Sequence, residues 1–111
     1  MLKGEVSFEE FKKLDIRVGK IVEVEGPKGS KTMLKLTVDF GDKQRVAMAG
    51  LKNYYKPEDF LNKNFVFIVN LERKKFLGIE SGCMILAADD EKGNIILLQP
   101  EKDISIGSKI R

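Results

Sequence analysis

The sequence predicts an all-β fold, a small closed barrel carrying two short helical turns. Two patterns predict it. Apolar residues alternate with polar ones in successive short runs, and each run ends in turn chemistry before it is long enough to be anything but a strand. The order is also informative: three strands, a helical turn, then two or three further strands. The chain has 111 residues, enough for one domain with a single core and too few for two. A hydrophobic fraction of 42% against 33% charged is that of a folded chain.

The chain opens on a helix-start signature, with Ser7 as cap, Glu10 three residues later, and Phe8, Phe11 and Leu14 on one face. A short helix over 7–13 follows. From Asp15 to Glu25 the residues Ile16, Val18, Val22 and Val24 alternate, with the phase broken at Lys20 and Ile21 beside Gly19, which predicts a strand kinked or bulged there. Residues 26–31, with Pro27, Gly29 and Ser30, form a turn. Leu34, Leu36, Val38 and Phe40 then alternate with Lys35, Thr37 and Asp39 as a half-buried second strand. Gly41-Asp42-Lys43 connects tightly to a third strand, Gln44 to Ala49. Pro57-Glu58-Asp59-Phe60-Leu61 reads as one helical turn that connects rather than builds the core, with proline first and acids in its opening turn. Phe65 to Val69, Cys83 to Ala88 and Ile95 to Leu98 complete the strands, with a turn at Asp89-Asp90-Glu91-Lys92-Gly93-Asn94.

A short helix between strands three and four is the signature of the five-stranded Greek-key barrel, the OB-fold, whose exposed face often binds oligonucleotides. The expected layout is a single domain over 1–111, a core of about 8–100, and a C-terminal strand extension over 101–111 whose alternating Ile104, Ile106 and Ile110 suit a dimer contact.

Histidine is absent, which removes the commonest general base, the commonest metal ligand and every Ser/His or Cys/His nucleophile pair. Cys83 stands alone, so no internal disulfide or Cys/His metal cluster can form; it reads as a buried, inert thiol. Catalytic residues, cofactors and metals are therefore not expected. No stretch has the form of a signal peptide or a membrane span, and a cytoplasmic protein without membrane association is predicted.

The net charge of +3 conceals segregation. Residues 11–56 hold eleven Lys and Arg against five Asp and Glu, whereas residues 89–103 hold two lysines against five acids. Lys28, Lys31 and Lys35 on the first hairpin, Arg45 on the third strand, and Arg73-Lys74-Lys75 are candidates for one basic face; a scatter of solvated lysines is the plainer alternative. Segment 70–84 reads as a loop of about a dozen residues, rich in donors and longer than folding needs. In it Ser81 is either a donor to phosphate or base or a turn residue, and Met84 either packs on a base or ribose or belongs to the core. Without tryptophan, only Tyr54 and Tyr55 are candidate exposed stackers, and either can instead pack beneath the short helix.

Three separated motifs carry a resemblance. Leu14-Asp15-Ile16-Arg17-Val18-Gly19-Lys20-Ile21, then Gly50-Leu51-Lys52-Asn53-Tyr54-Tyr55 with Pro57-Glu58, then Asn70-Leu71 through Gly78-Ile79-Glu80-Ser81 to Met84-Ile85-Leu86-Ala87-Ala88 resemble the tRNA-binding domain family. That family includes the C-terminal domain or beta subunit of methionyl-tRNA synthetase, free-standing tRNA-binding proteins and the CsaA export chaperones. The resemblance implies an OB-fold, a non-catalytic role, tRNA recognised by shape and backbone, and a homodimer built from the N-terminal segment and C-terminal strands. It also implies an RNA face that holds Ser81 and Met84, with Asn70 and the basic residues after it alongside. The full candidate set is Lys31, Lys35, Arg45, Asn70, Arg73, Lys74, Lys75, Ser81 and Met84. Two departures stand out: Ser81-Gly82-Cys83-Met84 displaces the family glycine, and Pro27-Lys28-Gly29-Ser30-Lys31 replaces the usual Pro-Asn-Ala-Asp-Lys tip. The alternative reading is a CsaA-like chaperone that binds unfolded polypeptides.

Overall fold

A computed structural model describes residues 2–111. The first strand, β1 (Ile16–Glu25), is the hub. It pairs antiparallel with β2 (Leu34–Asp39) through its second half and with β4 (Asn64–Ile68) through its first half, while β3 (Gln44–Ala49) pairs with β2. The spatial order β3-β2-β1-β4, in which three consecutive strands are followed by one that returns beside the first, is a Greek key. A short strand after β4 completes a five-stranded OB-fold barrel. The predicted kink in β1 is present as a register shift between Ile21 and Glu23, two residues beyond Gly19. Gly19 serves a different purpose: a Cβ there would lie 2.5 Å from Val38 Cγ1 and 2.7 Å from Phe40 Cε1.

Alternation in β1–β4 places Val18, Ile21, Leu36, Val38, Phe65 and Phe67 inside. Phe40 and Phe67 meet edge to face, with centroids 5.5 Å apart. Before the barrel, α1 (Phe8–Phe11) is capped as predicted, with Ser7 Oγ accepting from Glu10 N at 3.1 Å. Its apolar face stays exposed, Phe8 most of all.

The second helix, α2 (Pro57–Phe60), corrects one expectation, because Phe60 is fully buried and packs against Tyr55 and Phe65. A barrel this small has an open end, and a single aromatic on a helical turn closes it. Tyr55 is likewise structural: its hydroxyl donates to Ile95 O at 2.6 Å and accepts from Leu97 N at 3.3 Å, which ties α2 to the C-terminal hairpin.

Segment 70–84 is also corrected. Most of it is a further hairpin, β5 (Lys74–Phe76) and β6 (Ile79–Ser81), with Phe76 opposite Ile79 and a two-residue turn at Leu77-Gly78. Both turn residues have positive φ, 55° and 78°, the requirement of a type I′ turn. Leucine is an uncommon residue there, which is why the sequence pattern hides the hairpin. The predicted strand 83–88 divides: β7 (Met84–Ile85) pairs with β4, and β8 (Ala87–Asp89) turns away to pair with β9 (Ile95–Leu97). The turn between β8 and β9 forms as expected, organised by Asp90, whose carboxylate accepts from Lys92 N at 2.8 Å and Asn94 N at 3.2 Å.

The C-terminal residues lie along the first half of β1, on the side that β2 leaves free. Gly107 N donates to Val18 O at 2.7 Å, Val18 N to Ser108 O at 2.9 Å and Ile110 N to Ile16 O at 2.8 Å. Gly107 has φ +86°, and a Cβ there would collide with the Phe40 carbonyl oxygen. Contact within the chain thus half-buries Ile106 and Ile110, leaving Ile104 as the exposed apolar residue of this extension.

Candidate nucleic-acid interface

The barrel closes where β6 meets the outer edge of β3. Gly82 N donates to Val46 O at 2.6 Å, and Met48 N donates to Ser81 Oγ at 3.2 Å. Ser81 and Gly82 are thereby brought onto β3, which explains how two stretches some thirty residues apart form one surface. Two clefts flank this seam and share Gly82.

The first cleft, of about 450 Å³, is lined by Thr37, Lys43, Gln44, Arg45, Val46, Arg73, Glu80 and Gly82. Three cations and one carboxylate make its balance positive. Arg45 lies opposite Val38 in the β2–β3 ladder, so it occupies the inner face near the strand end, and its Nη1 reaches Val69 O at 3.4 Å. Arg73 lies over Gly82, where a Cβ would collide with its guanidinium. Both arginines lie near Cys83, whose thiol burial pushes up to about 12 against the pull of their charges. A neutral thiol beneath two cations leaves their charge available to an anion.

The second cleft, of about 460 Å³, is lined by Met48, Leu71, Glu72, Lys74, Phe76, Ser81, Gly82, Cys83 and Met84. Its surface is mainly apolar. Met48 and Cys83 form a buried floor, while Met84 and Leu71 are exposed at 44% and 43%.

The predicted residues thus divide. Arg45 and Arg73 share the basic cleft; Lys74, Ser81 and Met84 share the apolar one. Lys75 stands opposite Glu80 on the hairpin. Ser81 has its hydroxyl engaged internally, accepting from Met48 N and donating to Cys83 O at 3.0 Å. Asn70 spans a corner: its Oδ1 accepts from Asp15 N at 2.8 Å and its Nδ2 donates to Lys13 O at 2.6 Å. Lys35 pairs opposite Glu25, and Glu25 raises the neighbouring Glu23 carboxyl above its ordinary value while Lys35 lowers it, so its charge faces carboxylates. Lys31 is exposed in the β1–β2 connection and lines neither cleft.

Sequence reasoning missed Lys43, Met48, Leu71 and Phe76. For Lys43 the available signal was its place beside the Gly41-Asp42 turn, one step before the strand that carries Arg45. Lys52 was also missed; its Nζ reaches Ser30 O at 3.4 Å and brings a further cation beside the first-hairpin tip. Among the described residues no group of three or more metal-ligating side chains converges, and no helix is long and apolar enough to cross a membrane.

The profile of the family described as "Putative tRNA binding domain" matches residues 16–109. The methionine–tRNA ligase of Pyrococcus horikoshii is 49% identical over 106 residues, covering 96% of this chain and 14% of that protein. That of Methanocaldococcus jannaschii is 47% identical over 107 residues, covering 96% and 16%. The chain thus spans about one seventh of the length of these relatives. Among solved structures, a MetRS related protein from Pyrococcus horikoshii superposes with a TM-score of 0.93 at 33% identity, covering 98% of this chain and all of that one. The chaperone CsaA from Bacillus anthracis superposes with a TM-score of 0.87 at 30% identity, covering 97% of this chain and all of that one. With a family profile spanning β1 to the strand-like C-terminal residues, and the same barrel in its structural neighbours, the chain belongs to the tRNA-binding domain family.

Proposed function

We propose that the chain is a non-catalytic tRNA-binding module, acting in the cytoplasm either as a free-standing protein or as an accessory subunit of methionyl-tRNA synthetase. The basic cleft of Lys43, Arg45 and Arg73 at the barrel seam is the observation that carries the reading. Three cations converge where a phosphate backbone passes, and Lys74 and Lys75 extend the charge along β5. Lys31, exposed on the first hairpin, would reach a more distant part of the same RNA, and Ser81 and Met84 shape the cleft beside the seam. A folded RNA read through its backbone needs no histidine and no run of stacking aromatics. Bound to a synthetase, such a module would raise the local tRNA concentration.

A homodimer accompanies this reading. Its support is the exposed apolar set Phe8, Phe11 and Leu14 at the N-terminal end, with Ile96, Leu98 and Ile104 at the other. Light scattering at tens of micromolar should give twice the chain mass.

Filter binding with folded tRNA tests the main reading. The three cations of the cleft alone predict an affinity that falls by at least about fortyfold between 50 and 200 mM salt. Reversing the charge at Lys74 and Lys75 should weaken binding further while leaving the circular dichroism spectrum unchanged. Absence of binding at low salt, or binding insensitive to salt, overturns it.

A second reading, a CsaA-like chaperone for unfolded polypeptides, draws support from the apolar cleft around Met48, Phe76 and Met84 and from the CsaA superposition. Suppression of client aggregation that tRNA does not compete away would favour it.

A further inference from the structure

We infer that the apolar cleft beside the seam is a slot for a single unstacked nucleobase, seated while its phosphate lies in the adjoining basic cleft. The inference rests on the RNA-binding reading and names what part of the RNA this cleft takes. Its first support is shape and chemistry. The cleft holds about 460 Å³, within the range of small-ligand sites; the Met48 thioether lies in its floor and Met84, Phe76 and Leu71 line its walls. Thioether sulfur and an aromatic ring both pack favourably on a flat π-system.

The second support is charge. A slot for an apolar polypeptide segment has no need of a neighbouring cation cluster, but this one shares Gly82 with the cleft of Lys43, Arg45 and Arg73. A nucleotide is the ligand whose apolar face and anion are joined by one short sugar linkage. At the rim, the Glu72 carboxylate accepts from exocyclic amino groups and the Lys74 ammonium donates to ring carbonyl or nitrogen acceptors, so the base edge finds one partner of each kind.

Gly82 holds the two halves together. It has no side chain, so the Arg73 guanidinium lies directly over its backbone, on the side of the basic cleft. Ser81 and Cys83 on either side take no direct part: the hydroxyl is engaged internally and the thiol is buried.

The test uses the full chain labelled with ¹³C at the methionine methyl groups. Folded tRNA should move the Met84 and Met48 methyl signals upfield by the ring current of the seated base and leave Met33 unmoved. Guanosine or adenosine 5′-monophosphate at millimolar concentration should do the same; inorganic phosphate should not. The variant Met84→Ala, at an exposed position that folding tolerates, should lower tRNA affinity about fivefold without changing the salt slope, because the lost contact is uncharged. If tRNA binds with salt dependence while both methyls stay still, the slot is refuted and the RNA reading survives. If nucleoside monophosphates move the methyls and tRNA does not bind, the slot stands and the tRNA reading falls. If only an aliphatic unfolded peptide perturbs these signals, the cleft is a polypeptide groove and the inference is wrong.

Discussion

Replacing Tyr55 with Phe separates two roles that the sequence left open for this ring. The hydroxyl bridges Ile95 O at 2.6 Å and Leu97 N at 3.3 Å, joining the segment before α2 to β9 across forty residues. Phe keeps the ring and its edge contact to Phe60, with centroids 5.5 Å apart, and removes only the bridge. Each hydrogen bond of this part-buried kind contributes about 1 kcal/mol, so the loss is about 2 kcal/mol. An unfolding entropy of about 2.1 cal/mol/K per residue gives about 230 cal/mol/K for the chain, so the melting temperature should fall by about 9 °C. Differential scanning calorimetry on Tyr55→Phe beside Tyr54→Ala measures it; Tyr54 is 51% exposed and its removal should leave the transition in place. A fall smaller than about 3 °C for Tyr55→Phe would refute the bridge as a stabilising contact and return Tyr55 to the list of candidate stackers.

Gly19→Ala should destabilise the barrel by about 1–3 kcal/mol, read by urea denaturation, because the new methyl is forced onto Val38 and Phe40 inside a filled core. Gly82→Ala should leave the melting temperature almost unchanged, since the only atoms displaced are the mobile end of Arg73, yet flatten the salt dependence of tRNA binding by about one phosphate contact. Cys83 should resist alkylation in the native protein up to about pH 11 and react at once in denaturant, because burial holds its thiol neutral up to about 12. The same raised value makes stability fall with rising pH: the unfolded thiol ionises from about 9 upward while the folded one keeps its proton, so this contribution is complete below pH 9 and lost by about 12.

Strands β1 to β4 were legible because alternation of Leu34, Leu36 and Val38 with Lys35, Thr37 and Asp39 is a local property, and a wrong register would bury lysine. The helix cap at Ser7 and the turn around Asp90 were legible for the same reason. What stayed hidden depends on partners distant in sequence. Phe60 looks like one apolar residue in a polar turn until the barrel end that it fills exists. Leu77 gives no turn signal, since its positive φ is imposed by the pairing of Phe76 with Ile79. Among the candidate binding residues, type and segment were readable, but face was not. Arg45 and Lys35 looked equivalent, yet the ladder sets Arg45 opposite inward-facing Val38 and Lys35 opposite Glu25 and Met48. The partnership of residues 43–48 with 73–84 exists only once β6 closes on β3.

The residues that lie along β1, 107–110, carry a consequence for how the chain folds. Arg17 Nη1 donates to Gly107 O, a bond between residues 90 apart, and the backbone pairing around it seals the first half of the hub strand. Closing so long a loop is entropically among the costliest steps in the fold, so this edge is sealed late. Until residues 107–110 dock, the core strands can assemble with the Ile16–Gly19 edge unpaired. That open edge is where a partly folded copy would pair wrongly with a neighbour, and docking of residues 107–110 removes the hazard.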